Sequence, residues 1–336
     1  MRHFVVVAVL TVILTLLVGF GLDSVGLLPD QASEEGVGID QLFNLMVWAI
    51  AFLFSLIMVA VLYSAFAFRR REGEEELDGE HISGNTKLEI VWTVIPLMAV
   101  IALGVWGAQV LADITRPDPD ELVVKVTGFQ FGWRFEYPEQ GISSVDLNIP
   151  RGRQILLKLE SLDVIHSFWV PEFRVKQDAV PGLVTELRIT PTKLGTYTLR
   201  CAELCGLSHA YMLSNVNVME AADFEAWLAG EVEASQGEID PVAAGEKLYQ
   251  FSCSSCHSVN GSTGVGPTLL GSFGSERELD DGTTVVADTE YLHTAILSPG
   301  EQVVAGFANI MPPALGDTFS DQEVDALVAY IKSLAN

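Results

Sequence analysis

Cysteine is scarce in this chain: there are four among 336 residues. They fall in two close pairs, Cys201 with Cys205 and Cys253 with Cys256, each inside a string of other ligand-type side chains. None is left over for a disulfide framework. Positive charge is scarce as well, with 19 Lys and Arg against 44 Asp and Glu and a net charge of −25. Neutralising phosphates requires a basic face, so nucleic-acid partners are excluded. There is no internal repeat and no glycine loop able to cradle a phosphate.

The most informative stretch is Cys201-Ala-Glu203-Leu-Cys205-Gly-Leu-Ser-His209-Ala-Tyr-Met212. Two thiolates, an imidazole and a thioether in so short a string form a soft ligand set, suited to copper rather than magnesium or calcium. A second imidazole, His166 in Asp163-Val-Ile-His166-Ser-Phe-Trp, ends an apolar, strand-like run. A structural zinc site with two Cys and two His is the plainer alternative, but it leaves Met212 and the short Cys-x3-Cys loop without a role. Two coppers bridged by both thiolates, each with one His and one weak axial contact, employ the whole set.

The second pair reads Cys253-Ser-Ser-Cys256-His257, the C-x-x-C-H signature of covalent c-type haem attachment. A redox dithiol or half of a zinc site is the alternative. The surroundings favour haem: Pro241 to Tyr249 reads as a helix, Gly266-Pro267-Thr-Leu-Leu-Gly271 follows, and Asn309-Ile-Met311-Pro-Pro offers a thioether. Met311 could otherwise be a core methionine. Ser320 and Glu323 form a capping box ahead of an amphipathic terminal helix.

Two long uncharged runs, about 42–68 and 90–111, are predicted to span a membrane, the second with Pro96 inside it. Arg69-Arg70-Arg71 and Lys87 lie between them, which makes that loop cytoplasmic and places everything after Leu111 outside. That side agrees with haem attachment, which occurs outside the bacterial cytoplasmic membrane. Arg2-His3 followed by apolar Phe4 to Phe20 is either a signal peptide or a third span. Glu89 stands at the cytoplasmic end of the second span; it is either an interfacial, solvated acid or a proton-relay carboxylate.

After a stiff Arg116-Pro-Asp-Pro-Asp link come short β-rich runs starting at Leu122, Gln154, Leu187 and Gly195, which predict a sandwich or barrel. Residues 222–236 are expected to begin as a helix and become an acidic tether.

The copper-type string closely resembles the copper A site of cytochrome c oxidase subunit II. All five side-chain positions of that motif are filled, by His166, Cys201, Cys205, His209 and Met212, and the backbone carbonyl of Glu203 is the sixth ligand by that resemblance. The Glu203 side chain resembles the family's ligand to a magnesium at the subunit I interface. The string around Glu89 is similar to one whose glutamate lies at a proton-pathway mouth. Val175 to Gly182 and the aromatic segment Phe129 to Tyr137 also match, with one departure. Phe131 stands where the family usually has a tryptophan associated with electron entry from soluble cytochrome c, while Trp133 and Phe135 suit packing of the barrel against the membrane part. The last hundred or so residues resemble a class I cytochrome c, which implies Met311 as sixth iron ligand and the Pro267 carbonyl as the group orienting His257.

The resemblance implies a multidomain membrane protein: a transmembrane α-helical hairpin with a possible third N-terminal span, an all-β cupredoxin barrel and an all-α cytochrome c. The expected divisions are an N-terminal segment 1–37, the hairpin 38–116, the dinuclear-copper domain 117–222, a linker 223–238 and the haem domain 239–336. It further implies the electron-entry subunit of a caa-type oxidase in a bacterial plasma membrane, with both redox domains outside. Two copper ions, one covalent haem c and an interfacial magnesium are the expected cofactors. Oxidase subunit I, other oxidase subunits and a soluble or membrane electron donor are the expected partners. Oxygen chemistry would lie in subunit I, since His3, His81 and His293 are scattered and expected to lack partners. A nitric oxide reductase subunit and a stand-alone membrane-tethered electron carrier stay open as alternatives. A quinol oxidase subunit is disfavoured because that branch loses the copper ligands. The haem region is the most acidic, with 3 Lys and Arg against 14 Asp and Glu over residues 236–336. That charge either steers basic or neutral donors or serves solubility.

Overall fold

The computed structural model describes residues 1–70, 73, 81, 83–236, 240–312 and 319–335. The chain divides into two compact units, Met1–Arg116 and Pro117–Asn336.

The first unit holds three helices, α1 (Arg2–Val25), α2 (Glu35–Ala67) and α3 (Thr86–Ile114). All three are long and apolar enough to cross a membrane. The expected run 90–111 falls within α3, and 42–68 within α2 except for Phe68, its C-cap; both helices start ahead of the uncharged run because helical hydrogen bonding continues beyond the apolar stretch. α1 packs on α2. Gly19 leaves room for the Trp48 ring, which would clash with any Cβ there, and Phe20 meets Trp48 edge-on at 5.3 Å. His3 Nδ1 lies 2.7 Å from the Tyr63 hydroxyl, so the expectation that His3 lacks a partner is corrected. α3 runs unbroken through Pro96. At its start Asn85 Oδ1 accepts from the Leu88 amide at 3.2 Å, and Glu89 Oε1 accepts from the Asn85 amide at 3.3 Å. Glu89 therefore has a capping role that the sequence reading did not assign. Arg69 and Arg70 follow α2; Arg71, the third of the basic triplet, lies outside the described residues.

The second unit begins with two five-stranded sheets. One runs β3 (Ile142–Ser144), β2 (Gly132–Tyr137), β1 (Leu122–Phe129), β5 (Ile155–Ser161) and β8 (Thr185–Ile189). The other runs β4 (Leu147–Pro150), β10 (Leu213–Met219), β9 (Gly195–Cys201), β6 (His166–Trp169) and β7 (Lys176–Ala179). All four predicted runs lie in strands. Their alternation explains the packing: Leu122, Val124 and Val126 point into the core while Val123 and Lys125 are only half-buried. Each such aliphatic side chain contributes roughly 1.5–3 kcal/mol on burial. Trp133, Phe135 and Tyr137 are fully buried inside this barrel, which corrects the expectation that Trp133 and Phe135 pack it against the membrane part. The Tyr137 hydroxyl donates to the Asn148 carbonyl at 2.8 Å and accepts from the Asn148 amide at 2.9 Å.

Residues 221–236 are not a loose tether. They form one helix, α4 (Ala221–Gln236), with Phe224 and Leu228 buried and Trp227 edge-on to Tyr137 at 5.2 Å. The acidic residues that suggest a solvated link occupy its outer face, while the apolar ones seat it on the barrel. The remainder is helical: α5 (Pro241–Ser252), α6 (Thr289–Leu297) and α7 (Asp321–Ser333), with a small hairpin β11 (Glu276–Glu278) and β12 (Thr284–Val286). Gly245 brings α5 against the backbone of Ala326 in α7, an approach that no side chain would permit. Tyr249 and Tyr330 stack at 5.5 Å across the same crossing. The predicted capping box is present at the start of α7.

Candidate metal and haem sites

Strand pairing creates the first site. β6 opens on His166, β9 closes on Cys201, and the two strands are in register with Phe168 opposite Cys201. The loop after Cys201 folds back so that the Cys201 amide donates to the Met212 carbonyl at 3.2 Å. Cys201 Sγ and Cys205 Sγ are then 3.8 Å apart. Cys201 Sγ lies 3.9 Å from His166 Nδ1 and 3.2 Å from the Glu203 carbonyl oxygen. Cys205 Sγ lies 3.5 Å from His209 Nδ1 and 3.7 Å from Met212 Sδ. Each sulfur thus has its own imidazole and its own weak axial-type atom. This donor set fits a pair of soft metal ions; one tetrahedral ion would leave Met212 and the Glu203 carbonyl unused. His166 and Met212 are fully buried.

Asp163 belongs to this site as well, although the sequence pattern assigns it no role. Its Oδ1 lies 2.8 Å from His166 Nε2, which fixes the proton on Nε2 and leaves Nδ1 facing the thiols. Burial pushes the Asp163 carboxyl up, but hydrogen bonds from His166 and from the Val164 and Gln130 amides outweigh it, so the net shift is downward. A carboxylate three residues ahead of the ligand-type His was the available signal. Without a metal, the hydrogen bond with Cys205 holds the Cys201 thiol far below its ordinary range against the effect of burial, with His166 assisting. Cys205 moves the opposite way because its neighbour carries the charge.

The second site starts where α5 stops. The His257 amide donates to the Cys253 carbonyl at 2.8 Å, a turn that sets Cys253, Cys256 and His257 on one wall of an apolar cavity. Leu292, Ile296, Val304 and Ile331 are among the other lining residues, and Met311 is present too. His257 Nδ1 donates to the Pro267 carbonyl at 2.8 Å, which leaves Nε2 as the ring atom with a free lone pair. Gly266 is required beside it, because a Cβ would come within 2.5 Å of His257 Cε1. Burial lowers the His257 pKa and pushes the Cys253 thiol up to about 12. The cavity's apolar lining, paired thiols, neutral imidazole and thioether fit a covalently held haem.

The two sites adjoin. Gln130 and Phe131, from the turn between β1 and β2, line the haem-type cavity, and Gln130 Nε2 donates to the Cys205 carbonyl. Ser208 Oγ lies 3.5 Å from Cys256 Sγ. Elsewhere the expected features stay apart. The Glu203 side chain is exposed, and among the described residues no acidic cluster gathers round it. His293 Nε2 lies 3.1 Å from Asp325, a second correction to the expectation of unpartnered histidines.

Three family models match the chain. Residues 19–110 match the cytochrome c oxidase subunit II transmembrane domain, 142–219 the periplasmic domain of the same subunit, and 242–335 cytochrome c. Cytochrome c oxidase subunit 2 of Thermostichus vulcanus is 38% identical over 255 residues, covering 60% of this chain and 77% of that one. Cytochrome c oxidase subunit 2 of Alkalihalophilus pseudofirmus is 36% identical over 294 residues, covering 84% and 83%. The crystal structure of the periplasmic domain of subunit II of the Bradyrhizobium japonicum cytochrome oxidase is 29% identical. It aligns with a TM-score of 0.33 over 34% of this chain and 96% of that one. The two outer domains imply copper and haem, and the apolar helices with a periplasmic domain make a membrane-anchored chain with an extracytoplasmic part. The ligand strings, the fold and the length of these matches lead to one assignment: the chain belongs to the cytochrome c oxidase subunit II family and carries a C-terminal cytochrome c domain.

Proposed function

We propose that this subunit takes single electrons from a donor at a covalent haem c, passes them to a two-copper site, and delivers them to subunit I, where oxygen is reduced with proton pumping. The observation that carries the copper half is the pair of sulfurs 3.8 Å apart, each with its own imidazole and its own axial-type atom. His166, Cys201, Cys205, His209, Met212 and the Glu203 carbonyl would hold the coppers. Cys253 and Cys256 would form the haem thioethers, with His257 and Met311 as axial ligands. When bound, the two groups supply reversible one-electron storage. The protein's own part is geometric: Asp163 fixes the His166 tautomer, the Pro267 carbonyl orients His257, and the apolar cavity keeps water from the haem edge.

Partner contact is supported by α3, none of whose residues is buried, and by exposed Leu204, Leu207 and Tyr211 on the copper-type loop. We assign each of these two surfaces to contact with subunit I, with a magnesium held through the Glu203 side chain on the loop. Glu89 would serve proton entry from the cytoplasmic side of a bacterial plasma membrane. The copper domain extends through α4 to about residue 236, and the haem domain follows.

The test is the whole chain carrying covalent haem and loaded with copper. Two coppers per chain, a purple colour and an electron spin resonance signal of one electron shared over both ions are expected. A single zinc or one isolated copper would refute the dinuclear assignment. In the intact complex, reduced donor should drive oxygen uptake.

A further inference from the structure

We infer that Ser208 is the bridging residue through which an electron passes from the haem to the copper pair. This rests on the electron-entry reading above and adds a route to it.

Ser208 is 3% exposed, and its hydroxyl lies 3.5 Å from Cys256 Sγ. Burying a hydroxyl is unfavourable unless it is hydrogen-bonded, so this contact is a defining one for the side chain. Once Cys256 is a thioether its sulfur has no hydrogen, and Ser208 must be the donor. That sulfur would then be bonded directly to the haem periphery. On the other side, Ser208 is covalently joined to His209, whose Nδ1 lies 3.5 Å from Cys205 Sγ. The Ser208 carbonyl also accepts from the Tyr211 amide at 2.9 Å, which holds this segment in a tight turn. The path from haem edge to copper ligand is therefore one hydrogen bond followed by covalent bonds.

Tunnelling decays steeply with distance and more steeply across empty gaps than along bonds, so this path competes well with its neighbour. The neighbour is the Gln130–Phe131 wall. Phe131 contacts the loop only through space: a Cβ on Gly206 would sit 3.1 Å from its ring. Gln130 reaches the Cys205 carbonyl by a hydrogen bond, but no covalent link joins it to a haem sulfur. In the proposed step one electron leaves ferrous haem, which becomes ferric, and the oxidised copper pair gains it. No bond to Ser208 is made or broken and no proton moves.

The experiment uses the full chain with haem and copper bound, photoreducing the haem and following its reoxidation against the copper band. Ser208→Ala should slow that phase several-fold while leaving both potentials and the copper spin resonance signal unchanged. Ser208→Thr, which keeps the hydroxyl, should restore the rate. An unchanged rate in Ser208→Ala with both signals intact overturns the route. So does loss of the copper signal in Ser208→Ala, because the hydroxyl would then be holding the loop instead of coupling the centres. Absence of haem-to-copper transfer in the wild-type chain would instead refute the electron-entry reading itself.

Discussion

Arg134 Nη2 lies 3.1 Å from Glu323 Oε1, linking strand β2 of the barrel to the first turn of α7 in the haem domain. The same carboxylate accepts from the Ser320 amide at 2.8 Å and completes the capping box. Arg134 also stands 6.0 Å above the Phe319 ring. Glu323 therefore holds its own helix and the neighbouring domain at once.

Arg134→Ala should remove only the link between domains, at a cost of about 1–2 kcal/mol for a partly buried charged contact. Glu323→Ala should lose the cap as well and cost roughly 1 kcal/mol more. Thermal loss of the haem Soret band in the two variants measures the difference. Equal midpoints would show that the cap and the link are not cumulative.

Asp163→Asn should release the His166 ring from its fixed tautomer. Copper affinity is expected to fall about ten- to a hundred-fold, as for other groups that orient metal-binding histidines. Competitive copper titration of the full chain is the measurement. Undiminished affinity would mean that the packing of the fully buried ring alone sets its direction.

Met311→Ala should leave the haem covalently attached through Cys253 and Cys256 while lowering its reduction potential, since loss of thioether ligation removes a potential-raising group. Redox titration of the haem band reads this. A potential identical to that of the parent would take Met311 out of the site.

Glu89→Ala should leave reduction of haem and copper by donor at the parental rate and slow steady-state oxygen turnover in the complex. The capping contact to the Asn85 amide adds a control. Glu89→Gln can keep that hydrogen bond but cannot exchange a proton. Full turnover in Glu89→Gln would reduce the residue to a helix cap.

Much of this architecture was legible because its chemistry depends on short spacings. The copper-type loop and Cys253-Ser-Ser-Cys256-His257 each place their donors within a few residues, so local turns suffice to gather them. The strands from Leu122, Gln154, Leu187 and Gly195 were legible for the same reason: alternation is local. What escaped was mostly long-range, with Asp163, only three residues from His166, as the local exception. Asp163 acquires its meaning only when its carboxylate is seen to meet His166 Nε2, and α4 reads as a tether until Tyr137 is seen to supply the ring against which Phe224 and Trp227 rest. His3 and His293 looked isolated because Tyr63 and Asp325 lie far away in sequence. Ser208 was invisible as a functional residue, since its partner sulfur is 48 positions away.

Because α4 is seated on the barrel through Phe224 and Trp227, the stretch joining the two redox domains is much shorter than the sequence suggests. Between Gln236 and Asp240, where α4 ends and the cap of α5 begins, the chain can reach at most about 15 Å, four Cα–Cα steps of roughly 3.8 Å. A cytochrome on so short a lead behaves as a reagent at an effective concentration of millimolar order or above, whatever the dilution of the complex. Encounter between haem and copper domain is then no longer a bimolecular event. On the proposed route, salt and crowding are left to act on the outer step alone, where a donor would meet the acidic haem domain.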